Sequence, residues 1–172
     1  MRAKGLDSKR SVVPRSESNS SMARVEGMRE VNTLLRALIG ITLVFLVLQF
    51  LSGMWVNLFV SFPSITQTQG FFGLMATMMS LMQSGVLMVH MMWGFLILFL
   101  SIVDLAVSLF TKKLWVVTTA TSGFASVLFA GINGLLFVFS GFTNNLNSYY
   151  MAAGFLLAFA SYFVALYILD RT

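Results

Sequence analysis

Few residues in this chain could carry chemistry, and the first to consider stands alone. His90 is the single histidine among 172 residues, and there is no cysteine. A zinc site of histidine and thiolate ligands is therefore out of reach, and a bis-histidine haem cannot be completed within one chain. His90 with a methionine, or one His90 from each of two subunits, could still hold haem b at a subunit interface, and thioethers also suit Cu(I). Met54, Met78, Met82 and Met91 are the candidates among twelve methionines. Methionine also fills apolar gaps without any chemistry, so the plainer expectation is no metal and no cofactor. His90 is then a polar residue bonded to Gln49, Asn57, Gln83 or Asn133. With Trp93 beside it, His90 could border an outer haem or quinone pocket.

The second candidate is Asp104. No Lys, Arg, Asp or Glu lies between Ala37 and Val103 or between Leu114 and Leu169, so Asp104 is the one acidic residue set among apolar stretches. A buried carboxylate without a partner takes up a proton or finds a cation. Arg36 opens the first apolar stretch at a comparable depth, which makes a buried Arg36–Asp104 ion pair the expected arrangement. At a rise of ~1.5 Å per residue, Asp104 lies ~12 Å along a helix from Lys112 and His90 ~33 Å from it, near the opposite surface. No second acidic residue continues a relay through that outer half, which argues against a proton pump working alone.

These residues must be positioned by membrane helices. Hydrophobic residues make up 58 % of the chain and charged residues 10 %, a balance that no water-soluble domain could hide. A span needs ~20 apolar residues, so each charge-free stretch is long enough to cross twice. The expected fold is an all-α, polytopic four-helix bundle with spans at about 34–60, 84–110, 114–139 and 148–169. The breaks fall where turn-formers cluster: Ser61–Ser64, Thr111–Lys113 and Gly141–Asn145. Residues 71–83 are apolar but too few for a fifth span, and a short interfacial helix at 71–82 is expected in preference to a second span extended to about 40 residues.

Eight of the eleven basic residues lie at or before Arg36, two are Lys112 and Lys113, and the last is Arg171. With four spans they all fall on one side, which places both termini in the cytoplasm and the chain in the cell membrane. Residues 1–30 read as a basic tail, disordered or lying on the surface. Residues 31–172 form the bundle.

Small and polar residues repeat at helical spacing on every span. His90, Gly94, Ile97, Ser101, Asp104 and Ser108 share one face of the second, and Gly154, Ala158, Ser161 and Ala165 share one face of the fourth. Such stripes let helices approach closely.

There is no phosphate loop, nucleotide-binding glycine pattern, metalloprotease motif or nucleophile elbow, and a basic tail alone does not indicate nucleic acid. The partners expected are the lipid bilayer and either other membrane subunits or further copies of the chain. In size and character the chain suits a small accessory or structural subunit of a larger membrane complex, such as a respiratory one, and it is not expected to be an enzyme by itself. The alternatives are an oligomeric carrier or channel for ions or small solutes, with Asp104 on the path, and an electron-transfer subunit using His90 with haem b or quinone.

Overall fold

The computed structural model describes residues 15–59 and 85–171, with Gly73 and Met79 as isolated positions between them. Four helices account for nearly all of this: α1 (Arg15–Phe59), α2 (Gly85–Phe110), α3 (Leu114–Phe139) and α4 (Asn145–Asp170). All four are long and apolar enough to cross a membrane. The second and third match the expected spans closely, and the fourth begins three residues earlier, where Asn144 caps it by accepting a hydrogen bond from the Leu146 N–H at 3.1 Å. The expected break at Ser61–Ser64 and the interfacial helix at 71–82 lie outside the described residues.

The largest difference is at the start of α1, which begins at Arg15 rather than near 34. Within residues 22–30, Met, Ala, Arg and Glu are good helix formers, and they adjoin a helix already nucleated by its apolar part. Extension then costs little, and residues 24–30 are exposed on all sides. At 45 residues α1 is ~68 Å long, far more than a ~30 Å hydrocarbon layer can cover.

Two tight turns fold the chain back on itself. After α2, Thr111 donates its hydroxyl to the Ser108 carbonyl at 2.7 Å and accepts the Lys113 N–H at 3.3 Å, while Lys112 takes a left-handed φ of 54°. After α3, Gly141 and Phe142 are both left-handed (φ 65° and 63°), and the Phe142 N–H closes the turn on the Phe137 carbonyl at 3.0 Å. This is the reversal that ends many helices, with glycine supplying the first of the two conformations.

Each helix packs on two neighbours: α1 on α2 and α4, and α3 on α2 and α4. The α3–α4 pair is the most intimate, because Gly154 brings α4 against the α3 backbone. A Cβ there would stand 3.0 Å from the Ala130 nitrogen. The core is a stripe on each helix, Leu35, Ile39, Leu43 and Leu46 on α1 and Ala158, Tyr162, Ala165 and Leu169 on α4, joined by Ile97, Val116 and Val127. Outside it the surface is apolar all round: only 17–28 % of the apolar windows is buried within the bundle, and Trp115 and Phe110 are 72 % and 71 % exposed. A surface of that kind belongs in lipid, so the chain is a multi-pass helical membrane protein.

Candidate functional sites in the two halves of the bundle

In the half of the bundle far from the chain ends, α1 presents Gln49, Ser52 and Gly53 to His90 of α2. Ser52 donates its hydroxyl to the Gln49 carbonyl at 2.9 Å. That leaves the serine oxygen to accept from His90 Nδ1–H, also at 2.9 Å, and His90 Nε2 to accept from the Gln49 side-chain amide at 3.2 Å. A neutral imidazole with its proton on Nδ1 satisfies all three bonds. Gly53 makes room for the ring, since a Cβ there would meet His90 Cε1 at 3.0 Å. The Gln49 carbonyl oxygen Oε1 is left buried without a donor.

This cluster stands on the wall of a cavity of about 450 Å³ lined by all four helices. Its lining is carbon-rich, with Phe50, Phe95, Phe137, Phe155, Ile97 and Ala158 prominent, and its polar residues are Gln49, Asn57, His90 and Ser148. Four glycines border the space, and one of them leaves it open. Gly53, Gly94, Gly131 and Gly134 all line it, and a Cβ on Gly131 would meet nothing within 4 Å.

Of the expected outer site, the structure therefore brings together His90, Gln49 and Asn57, with Met54 and Met91 on the same cavity wall. Trp93 turns instead to Phe45 in an edge-on contact, ring centres 6.5 Å apart. Asn133 is buried and donates to the Phe129 carbonyl of its own helix at 2.8 Å, so it does not meet His90. Gln83, Met78 and Met82 lie outside the described residues. Neither nitrogen of His90 is free for a haem iron or a copper ion unless one of its present bonds breaks. No group of three His, Cys, Asp or Glu that could hold a metal ion occurs among the described residues.

In the half nearest the chain ends, the expected Arg36–Asp104 pair is not formed. Arg36 reaches α4, where Nη2 donates to the Leu169 carbonyl and Nη1 lies 3.5 Å from Asp170. The reason is depth combined with the pull of a helix end. Asp104 faces Thr42, six residues or ~9 Å further into the bundle than Arg36, while the carbonyl end of α4, with its partial negative charge, stands beside the arginine.

Asp104 is fully buried with Thr42, Ser101 and Tyr162. Thr42 donates to Asp104 Oδ2 at 2.7 Å, and Ser101 donates to the Leu98 carbonyl at 2.7 Å. Asp104 Oδ1 and the Tyr162 hydroxyl make no well-formed hydrogen bond, although Tyr162 lies near enough to Ser101 and Asp104 to interact with both. Gly123 on α3 sets the tyrosine in place: a Cβ there would stand 2.7 Å from Tyr162 Cζ.

Thr42, Ser52 and Tyr162 escape a reading by residue type, since a threonine, a serine and a tyrosine are common in any span. Position was the available signal. Thr42 falls on the buried Leu35–Ile39–Leu46 face, and Tyr162 interrupts the small-residue stripe of α4.

No family model matches the chain, and no curated protein and no solved structure matches it either.

Proposed function

We propose that this chain is a small accessory subunit of a membrane assembly that holds one lipid-soluble molecule bearing a hydroxyl head, of the quinol class, in the far cavity. The observation that carries this reading is the cavity itself. Its volume of about 450 Å³ is within the range of small-molecule sites, and an apolar wall with a few converging polar groups is their usual construction. The polar residues on the wall, Gln49, Asn57, His90 and Ser148, supply the chemistry of the head group, because a hydroxyl can both donate to and accept from groups of these kinds.

The antiparallel bundle gathers Arg36, Lys112, Lys113 and Arg171 at one end. Positive-inside bias supports a cytoplasmic location for that end and for both termini, with the cavity in the outer half of the cell membrane. A channel or carrier path is less well supported, since Leu46, Ile97 and Ala158 close the core between the cavity and Asp104.

The test is to purify the protein gently with its bound lipid, extract it, and identify what it retains by mass spectrometry and by a redox-difference ultraviolet spectrum. A stoichiometric quinol, lost in Gln49→Leu, is expected. An extract that matches bulk phospholipid in both proteins would overturn ligand binding, and a retained alcohol without redox activity would overturn the quinol assignment.

A further inference from the structure

We infer that Asp104 is a proton-binding site inside the bundle, carrying its proton on Oδ1 toward the Tyr162 hydroxyl and exchanging it only with the end nearest the termini. The inference is independent of the far cavity.

The argument begins with charge. Thr42, Ser101, Asp104 and Tyr162 come from three helices, and none of the four has any exposed surface. An anion held there is stable only if a cation or enough donors replace its lost hydration. On α1 the facing group is Thr42, and Arg36 is ~9 Å away along the axis and engaged with Leu169 and Asp170. The third helix contains no titratable residue along its whole length. On α4 the facing group is Tyr162, while Asp170 sits at the helix end and would repel a second anion. On α2 itself the nearest cations, Lys112 and Lys113, lie past the end of the helix, and Lys112 is exposed. Among the described residues no cation faces Asp104, and one hydroxyl from Thr42 is a small return for the lost hydration of an anion.

A proton removes that charge, and the hydrogen bonds close around it. Protonated Oδ1 donates to the Tyr162 oxygen, Tyr162 donates to the Ser101 oxygen, and Ser101 already donates to the Leu98 carbonyl. Thr42 continues to donate to Oδ2. Both unpartnered atoms, Asp104 Oδ1 and Tyr162 Oη, are satisfied by small adjustments.

Access is one-sided. Ser108 and Thr111 follow Asp104 at spacings of four and three on the same face, so a row of buried hydroxyls leads ~10 Å to the turn at Lys112. In the other direction the buried hydroxyls end at Ser101, and the core passes on to Ile97 and Leu46, which offer a proton no partner. The site can therefore load and unload at one surface, as a switch that senses the proton activity there, and does not form a conduit.

The chain has three aspartates, Asp7, Asp104 and Asp170, which makes a direct test possible. The full-length protein would be labelled with carbon-13 aspartate, placed in liposomes at neutral pH, and examined by solid-state NMR and infrared spectroscopy. The expected result is one of the three carboxyl signals in the protonated acid form, exchanging with deuterium, unaffected by sodium, and missing from Asp104→Asn. Signals showing all three carboxylates ionised in the folded wild type would overturn the proposal. Loss of the acid signal on adding sodium at constant pH would overturn it in favour of a cation site.

Discussion

The near and far halves of the bundle use the same four helices and the same kinds of small residue, yet they pack differently. In the near half Gly123 is filled by the Tyr162 ring that faces it, and toward mid-bundle Gly154 is filled by the Ala130 backbone. In the far half the cavity glycines divide: Gly53, Gly94 and Gly134 are met by His90, Gln49 and Met151 side chains at 3.0–3.3 Å, while Gly131, an exposed residue, meets nothing within 4 Å. A glycine in a membrane helix thus has two opposite uses. It brings backbones together when a large partner or a second small residue lies opposite, and it leaves a hollow when nothing does. The identity of the facing residue decides which.

That contrast can be broken or sharpened by substitution. The largest effect is expected from Tyr162→Ala, which removes a fully buried ring at the junction of three helices and should cost ~4 kcal/mol in equilibrium unfolding in mixed micelles. A loss below about 1 kcal/mol would mean the near half repacks freely. Gly154→Leu should cost ~2 kcal/mol or more, because the new side chain meets α3 backbone and not a movable side chain. Distances between spin labels on α3 and α4 should lengthen in that variant. Arg36→Gln should cost about 1 kcal/mol, mainly from the lost bond to the Leu169 carbonyl, and should fray the end of α4 in hydrogen exchange. By contrast, Asp170→Asn should leave stability unchanged within error, since its carboxylate is 80 % exposed and solvent screens the pair. An equal loss from both changes would assign the effect to the ion pair.

Much of this fold is legible in the sequence because charge is excluded so strictly from two long stretches. The boundaries of α2 and α3 follow from Gly85, Thr111–Lys113 and Gly141 almost residue by residue. The early start of α1 is not legible, since residues 15–30 are polar and only their attachment to an apolar helix favours continuing it. The His90–Gln49 contact follows from depth and residue type, whereas Ser52 completes it through a backbone carbonyl that no spacing rule reveals. The Arg36–Asp104 expectation fails for an instructive reason. Depth along a helix is easily counted, but competition from the carbonyls at the end of α4 is visible only once that end is placed beside Arg36. The cavity is invisible in sequence altogether, because it depends on what does not face Gly131.

The most direct test of the difference between open and filled glycines is the unfolding free energy of Gly131→Phe. If the far half is hollow at this position, the added ring should be accommodated with a change within ~0.5 kcal/mol of wild type. A loss as large as that of Gly154→Leu would contradict the account.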